Sequence, residues 1–287
     1  MINPGITKAG KTIFKWGERT YVMGIINLSP ESFSGDGLND ASSAVAQGLR
    51  MAEDGSDILD VGGESTKPGY TPIATDEEVR RVVPVIEKLA AAVSVPISID
   101  SSKYEVVRRS LAAGATIIND QWGLKTEPRL AEMAAQKGLP IVLMSNQRDK
   151  GGFDPGIKRD TAFYDNIMAE LTNSLRKSID LALQAGVPAE NIIIDPGLGF
   201  GKTWQYDLWI IQKLAELKIL GRPILIGPSR KSFIKMILGV PPEERLEGTA
   251  AAVAIGIAHG ADIVRVHDVK EMVRVCRVSD AIVRTNL

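Results

Sequence analysis

The sequence predicts an α/β protein that folds as a single-domain (β/α)8 barrel, a TIM barrel, with its active site at the C-terminal ends of the strands. Eight short apolar segments alternate with helical segments over about 265 residues, the size of one such barrel. Strict alternation implies parallel strands joined by right-handed crossovers. Nearly every apolar segment also ends at a polar residue. A doubly wound open sheet is the alternative, but it normally binds at one switch point that few strands reach.

The predicted strands are short apolar runs. The three isoleucines at 192–194 are typical of a parallel strand that is buried on both faces. The eight runs cover residues 21–27, 57–61, 96–100, 116–120, 140–145, 192–194, 223–227 and 261–267.

Helical patterns follow the strands, and Thr75 with Glu78 three residues later predicts a capping box at the start of one helix. No linker or change in composition divides the chain. We therefore expect a lead-in segment over 1–20 and one barrel over 21–287. The helical segments cover about 40–54, 75–89, 103–113, 128–137, 161–185, 206–217, 233–238, 247–259 and 269–284.

Composition excludes several classes of protein. The chain has 287 residues, of which 44% are hydrophobic and 24% charged, and its net charge is −1. There is no long run of one sign, so no electrostatic footprint for nucleic acid or an acidic membrane is expected. The single cysteine, Cys276, excludes an internal disulfide and is predicted to be a small buried apolar residue. No apolar run reaches about 18 residues, so no spanning helix is expected. The N-terminus does not resemble a signal peptide, which makes the cytoplasm the default compartment.

Polar residues at the strand ends form the candidate site. An Asn or Asp after a strand is usually a turn former or a helix cap, but chance capping would not place them at so many successive strand ends. Arg265 and His267 are two apart on one strand and face the same side. With Lys231 they form a cationic patch, which is either an anion site or a partner for Asp100 or Asp195. The full set is Asn27, Asp60, Asp100, Asn119, Ser145, Asp195, Lys231, Arg265 and His267.

The glycine-rich turn after Asp195 imitates a nucleotide loop. Residues 201–203 read Gly-Lys-Thr, but Pro196 stands where a P-loop needs glycine, and the glycines also miss the dinucleotide spacing. His259 is predicted to cap the C-terminal end of a helix. With one usable histidine and no cysteine set, a zinc site is not expected. A Mg²⁺ shared with ligand phosphates remains open.

Several segments together resemble the signatures of the dihydropteroate synthase family. The resemblance runs from about residue 21 to 285 and touches every predicted strand. The segments are MGIINLSPESFS at 23–34, DVGGESTKPG at 60–69, Ile-Asp at 99–100, Ile-Asn-Asp at 118–120, DPGLGFGK at 195–202, SRKS at 229–232 and RVHD at 265–268.

The resemblance implies a folate-pathway transferase. Such enzymes condense 6-hydroxymethyl-7,8-dihydropterin diphosphate with 4-aminobenzoate to give 7,8-dihydropteroate and diphosphate, by substitution at the pterin methylene carbon with diphosphate leaving first. They are targets of sulfonamides and are commonly homodimers. The resemblance also implies a catalytic set of Asn27, Lys231, Arg265 and His267.

The resemblance assigns three subsites. The pterin is held by Asp100, Asn119, Asp195 and Lys231. Independently, the adjacent N–H donors of a pterin edge suit Asp195 as a bidentate acceptor. The diphosphate meets Asn27, Thr66, Arg265 and His267, and Asn27 contacts Mg²⁺. The aminobenzoate lies among Phe33, Thr66, Lys67, Pro68, Phe200 and Ser229, where the two phenylalanines pack the ring.

Four positions depart from the family pattern. Asp36 is displaced by one position, Lys67 replaces an arginine, Ser145 replaces a histidine, and Pro228 precedes the Ser-Arg-Lys segment. Two alternatives stay open. One is a barrel like the methyltetrahydrofolate–corrinoid methyltransferases, which needs no diphosphate site. The other is a non-catalytic pterin-binding relative.

Overall fold

A computed structural model describes residues 5–29, 40–65, 71–148 and 167–284. Two short antiparallel strands precede a parallel eight-stranded sheet. The predicted eight strands and their alternation with helices are confirmed. The strands are β1 (Ile6–Ala9), β2 (Thr12–Lys15), β3 (Tyr21–Asn27), β4 (Ile58–Gly62), β5 (Ile97–Asp100), β6 (Ile117–Asp120), β7 (Ile141–Met144), β8 (Ile192–Asp195), β9 (Leu225–Ile226) and β10 (Ile263–Val266).

The sheet closes on itself as a barrel. Its strand order is β8-β7-β6-β5-β4-β3-β10-β9, and a parallel bridge between Ile194 and Ile224 joins the two ends. The penultimate strand, β9, is shorter than predicted and covers only 225–226. Closure leaves no free sheet edge, so the polar groups at the strand ends surround one mouth.

The helices surround the barrel. The predicted helix over 206–217 is in fact an α-helix over Trp204–Gln212 followed by a 3-10 helix over Leu214–Leu220. Residues 161–166 of another predicted helix lie outside the described residues. The helices are α1 (Ala41–Glu53), α2 (Thr75–Ala92), α3 (Tyr104–Ala112), α4 (Arg129–Lys137), α5 (Ile167–Gln184), α6 (Trp204–Gln212), α7 (Ser232–Leu238), α8 (Leu246–Ala258) and α9 (Val269–Val283).

The predicted capping box at Thr75 is wrong. Thr75 is the first residue of α2, and the N-cap residue Ala74 makes no side-chain cap. Glu78 turns instead to Lys103, whose Nζ donates to Glu78 Oε2 over 2.8 Å. The Glu78 carboxylate therefore binds Lys103, from the loop after β5, instead of the backbone at the start of α2 as the local pattern predicted.

Alternate strand residues fill the barrel interior, while the residues between them pack against the helices. The hairpin of β1 and β2 lies against the lower interior layer, where Phe14, Trp16 and Tyr21 pack together with ring centroids 5.0–5.5 Å apart. The strand members of that layer are Met23, Ile58, Ile117, Val142, Ile193, Leu225 and Ile263. Apolar side chains therefore fill the barrel interior at this end. The proposed division at residue 20 stays a prediction.

No helix within the described ranges is both long and apolar enough to cross a membrane. Cys276 is buried in α9, as predicted, and burial raises the pKa of its thiol to about 12.

Candidate active site

The polar mouth is the upper continuation of the barrel interior. The strand register aligns Asn27 with Gly62, Gly62 with Asp100, and Asp100 with Asn119. Because alternate residues face inward, the side chains at these levels point into one cavity. The structure thus brings together Asn27, Asp100, Asn119, Asp195, Phe200, Ser229, Lys231, Arg265 and His267, all of which line a single pocket.

Arg265 lies between two carboxylates. Its Nε donates to Asp60 Oδ2 over 2.6 Å, and its Nη2 donates to Asp100 Oδ2 over 2.7 Å. Burial opposes the charge of Arg265, but the two aspartates outweigh it and raise the pKa of the guanidinium. The salt-bridge alternative predicted from the sequence is therefore present at Asp100, with Asp60 as a partner that was not predicted.

Asp60 joins this ion pair to Asn119 on β6. It is fully buried, and its Oδ2 also accepts a hydrogen bond from Asn119 Nδ2 over 3.1 Å. Gln121, which the sequence reasoning missed, donates to Asp100 Oδ1. Burial is the main cause that raises the pKa of Asp100, with Arg265 acting in the opposite direction. Asp60 was visible in the sequence as a strand-end carboxylate, but its partners were not.

Asp195 lies at the end of β8, where the glycine-rich turn begins. Its Oδ1 accepts a hydrogen bond from Gly197 N over 2.7 Å, and the residue is 7% exposed. Burial raises its pKa to about 6, against the lowering effect of that hydrogen bond. The Asp195 carboxylate therefore lies where the sequence predicted, and its burial has a high desolvation cost. A ligand with N–H donors would lower that cost.

Phe200 lies between two cations at the edge of the pocket. Lys231 Nζ and Arg148 Cζ each lie 4.6 Å from the centre of its ring. Arg148 also donates from Nη2 to Gly199 O over 3.2 Å. Burial lowers the pKa of Lys231, and the charges of Arg265 and Arg148 act in the same direction. Arg148 was missed because nothing in the sequence connects the β7 loop with the glycine-rich turn.

Two further buried charged residues, Lys202 and Asp207, bind the backbone of the glycine-rich turn. Lys202 Nζ donates to Phe200 O over 3.0 Å, and Asp207 Oδ1 accepts from Gly199 N over 2.9 Å. Burial lowers the pKa of Lys202 and raises that of Asp207. The lysine of the imitation nucleotide motif is thus a structural donor to the turn and is not among the residues that line the pocket.

Ser229 and His267 contact each other at the mouth. Ser229 Oγ lies 2.9 Å from His267 Nδ1, and the same hydroxyl accepts a hydrogen bond from His267 N over 3.2 Å. Arg230, between Ser229 and Lys231, pairs with Asp268 over 2.6 Å. The SRKS and RVHD segments are therefore tied together, which places Ser229 and His267 on one wall.

Some predicted site residues cannot be placed. Phe33, Thr66, Lys67 and Pro68, with the displaced Asp36, lie outside the described residues. Ser145 is buried beside the glycine-rich turn, where its backbone N–H donates to Asp195 O over 2.8 Å. It does not line the pocket with the other strand ends. The three subsites predicted from the sequence stay predictions.

The mouth offers few side-chain donors for a metal ion among the described residues. Across residues 5–29, 40–65, 71–148 and 167–284, no group of three or more His, Cys, Asp or Glu side chains could hold a metal ion. Mg²⁺ commonly binds through one or two protein oxygens and substrate phosphates. Asn27, which lines the mouth with Arg265 and His267, offers such an oxygen. The donor set fits a Mg²⁺ that arrives with a phosphorylated ligand.

The sequence is similar to one family and to named members of it. The family model described as pterin binding enzyme matches residues 23–267. The chain is 46% identical over 279 residues to the dihydropteroate synthase of Clostridium beijerinckii, and the match covers 96% of this chain and 99% of that protein. It is 44% identical over 265 residues to the dihydropteroate synthase of Bacillus subtilis, with 92% and 89% covered.

Solved structures show the same likeness. Dihydropteroate synthase from Clostridium difficile in the presence of pteroic acid has a TM-score of 0.85 and 43% identity, covering 95% of this chain and 100% of that chain. The Xanthomonas albilineans enzyme with 4-aminobenzoic acid has a TM-score of 0.83 and 40% identity, with 94% and 95% covered. The Yersinia pestis enzyme in complex with a sulfonamide drug has a TM-score of 0.87 and 36% identity, with 96% and 98% covered. The predicted resemblance and the predicted barrel fold are confirmed.

Proposed function

Because the chain belongs to the pterin binding enzyme family, and within it to the dihydropteroate synthases, we propose how its strand-end side chains perform that reaction. The reaction condenses 6-hydroxymethyl-7,8-dihydropterin diphosphate with 4-aminobenzoate and releases 7,8-dihydropteroate and diphosphate. The observation that carries the proposal is the single pocket in which acceptors for a pterin edge and donors for a diphosphate lie together.

The pterin binds on the floor of the mouth. Asp195 accepts two adjacent N–H groups of the pterin, which repays its desolvation with charge-assisted hydrogen bonds. Asn119 both donates and accepts, and Asp100 accepts a further ring N–H. Lys231 donates to a ring acceptor. Its lowered pKa reflects a dry site, where each such hydrogen bond is stronger than in water.

The diphosphate leaves from the upper wall. The electron-rich dihydropterin can support positive charge at its methylene carbon, so the protein's task is to stabilise the charge that grows on the leaving diphosphate. Arg265 and His267 donate toward it, and the hydroxyl of the predicted contact Thr66 joins them. Asn27 would hold a Mg²⁺, which supplies further neutralisation of the phosphate charge when bound. A corrinoid methyltransferase would not require these donors, so the mouth does not favour that alternative.

The aminobenzoate then attacks the methylene carbon with its amine. Phe200 and Ser229 form one side of its site, and Phe33, Thr66, Lys67 and Pro68 are the predicted other side. In the structure the ring of Phe200 contacts Lys231. An aromatic ligand that enters beside Phe200 gains a ring contact worth about 0.5–1.5 kcal/mol beyond its area burial.

The test is a product assay with a sulfonamide titration. The purified protein should form dihydropteroate and release diphosphate, and the rate should depend on Mg²⁺. A sulfonamide should compete with 4-aminobenzoate, as expected for an analogue of that substrate. No product with both substrates and Mg²⁺ present would contradict the proposed function, while product formation without Mg²⁺ dependence would contradict only the metal assignment at Asn27.

We also propose that two copies of the chain associate through α6, α7 and α8. These neighbouring helices carry a concentration of exposed apolar side chains around an apolar groove. Trp209 is 48% exposed, Ile237 56% and Ile255 49%. A large exposed apolar patch on a protein of this size indicates an interaction surface. We propose that a second copy of the chain covers this surface, in the homodimer that the family resemblance implies.

The association can be tested by light scattering after size exclusion. Ile237→Asp should shift the protein from dimer to monomer, because it would bury a charge in the interface. Ile282, which is 77% exposed on α9, provides the matched control, and Ile282→Asp should leave the mass unchanged. A monomeric wild type would contradict the proposal. The cytoplasmic location stays a prediction.

A further inference from the structure

Lys103 lies at the centre of an ion network beside the active site. It follows β5, and its Nζ donates to Glu64 Oε2 over 2.7 Å, to Glu78 Oε2 over 2.8 Å and to Ile73 O over 2.8 Å. These three acceptors use all three donors of an ammonium group. They come from the loop after β4 and from the first turn of α2, so one side chain joins three parts of the chain.

The network ties the two ends of the segment from 64 to 73. Glu64 Oε2 accepts a hydrogen bond from Ile73 N over 2.9 Å as well as from Lys103. Lys103 in turn donates to Ile73 O, so both backbone groups of Ile73 are held. Arg81 Nη1 donates to Gly63 O over 3.1 Å just before the segment. The entry and exit of this segment are therefore fixed to each other and to β5.

The network also sets the charge next to the substrate pocket. Glu64 and Asp100 line both the substrate pocket and a small adjoining cavity that contains Glu78 and Lys103. Glu78 is 1% exposed, and its charge is among the causes that raise the pKa of Asp100, after burial and Asp60. Burial by itself would lower the pKa of Lys103, but hydrogen bonds to Glu64 and Glu78 raise it. Lys103 therefore stays charged and offsets two carboxylates near the diphosphate donors.

We propose that Lys103 is a positioning residue of the reaction, which holds Glu64 beside Ile73 and neutralises Glu64 and Glu78 next to Asp100. It does not touch the substrates. It acts through Glu64 at the mouth and through Asp100, the partner of Arg265. The inference rests on the proposed function, because Asp100 is a proposed pterin contact and pairs with Arg265, a proposed diphosphate donor.

The first test compares Lys103→Met with Lys125→Met. Lys125 follows β6 and donates to Asn146 O over 2.9 Å, but to no carboxylate in the described part of the chain, so it controls for loss of a lysine near the mouth. Lys103→Met should raise KM for the dihydropterin diphosphate and for aminobenzoate by about 10- to 100-fold, as expected when a distant change misplaces substrate contacts. The affinity for a pterin without diphosphate should change less, because Asp100 is the one of its four proposed contacts that lines the cavity beside Lys103.

Three results would overturn the proposal. They are wild-type KM values in Lys103→Met, equal rises in Lys103→Met and Lys125→Met, or an equal loss of affinity for the bare pterin and its diphosphate ester. If Lys103→Met does not fold, Glu64→Gln takes its place. This variant keeps Glu78 paired while it weakens the tie to Ile73, and it should raise KM for aminobenzoate in the same direction. Unchanged KM values in Glu64→Gln would contradict the proposal that the contact between Glu64 and Ile73 affects substrate binding.

A second readout does not depend on catalysis. Hydrogen exchange at the amide of Ile73 should be faster in Lys103→Met than in wild type, because its acceptor Glu64 has lost its other partner. Exchange in β10 should be unchanged. If the wild type makes no dihydropteroate, the proposed function fails. If the wild type is active but exchange at Ile73 is the same in Lys103→Met as in wild type, only the role of Lys103 is contradicted.

Discussion

Arg265 Nε donates to Asp60 Oδ2 over 2.6 Å inside the barrel, although the two residues are 205 positions apart in the chain. The same oxygen of Asp60 accepts from Asn119. One buried carboxylate oxygen therefore joins a donor on the proposed diphosphate side to an amide on the proposed pterin side. Since Asp60 does not line the pocket with the other strand-end residues, it supports the site from beneath.

We expect Asp60→Asn to weaken both stability and catalysis. The amide keeps the shape but loses the charge that pairs with Arg265. A hydrogen bond to a charged group contributes about 1.5–3 kcal/mol, so the free energy of unfolding should fall by about that amount in urea titrations. We expect kcat/KM for the pterin diphosphate to fall by about 10-fold or more, equivalent to 1.36 kcal/mol or more of transition-state stabilisation.

Asp57→Asn is the control for Asp60→Asn. Asp57 pairs with Arg19 at the opposite end of the barrel, where Arg19 Nη2 lies 2.5 Å from Asp57 Oδ1. Its substitution should reduce stability without changing kcat/KM. Wild-type kinetics in Asp60→Asn would show that Arg265 does not need this support.

The affinity for pterin should depend on the ionisation of Asp195. Burial raises its pKa to about 6, so the neutral acid predominates below that pH in the free protein. A ligand that donates two N–H groups requires the carboxylate, so binding releases a proton at low pH. Through Asp195, affinity should therefore rise by up to about tenfold per pH unit below pH 6.

Calorimetry in buffers of different ionisation enthalpy measures that proton release. Asp195→Asn should bind pterin much more weakly, and the step near pH 6 should disappear. Asp207→Asn is a useful comparison, because Asp207 is also buried with a raised pKa but faces Gly199 rather than the pocket. A step that persists in Asp195→Asn would assign the titration to another group.

His267→Ala should separate the diphosphate from the pterin. His267 Nδ1 lies 2.9 Å from the hydroxyl of Ser229, and His267 is not one of the proposed pterin contacts. We expect the dissociation constant of the diphosphate ester to rise by about 10-fold, as for the loss of one charged hydrogen bond, and that of a bare pterin to stay the same. His259→Ala, which removes a contact with Ile211 O, should change neither constant. Equal losses for both ligands would mean that the anion assignment is wrong.

Gly201→Ala should disturb the wall that Phe200 provides. Gly201 has a φ of 71°, and a Cβ there would lie 2.4 Å from the carbonyl carbon of Gln147. The backbone of the glycine-rich turn would have to move away from the β7 loop. We expect a lower melting temperature and a higher KM for aminobenzoate.

Gly239→Ala separates backbone strain from the close contact. Gly239 has a φ of 72°, but a Cβ there would meet nothing within 4 Å. This variant should show only the strain of about 1–2 kcal/mol for a left-handed residue, with unchanged KM values. If Gly201→Ala and Gly239→Ala have the same melting temperature and KM values, the close approach of Gly201 to the β7 loop does not matter for stability or aminobenzoate binding.

The sequence by itself determined the barrel fold and the end of the barrel at which the candidate site lies. Parallel strands that alternate with helices have few arrangements, and the polar residue after each apolar run marks where the strand leaves the core. Asp100, Asn119, Asp195, Lys231 and Arg265 could be assigned to one mouth for this reason. Local patterns are sufficient here because inward and outward positions alternate along every strand.

Only the tertiary structure decided which polar atoms pair. The sequence left Arg265 between an anion site and a salt bridge, and the fold placed it against Asp60 and Asp100. The sequence likewise predicted that Glu78 caps the start of a helix, whereas in the fold Glu78 pairs with Lys103. These partners come from different strands and helices, and buried charges adopt whichever partner lowers their desolvation cost. Their choice depends on distances across the barrel, which no local pattern contains.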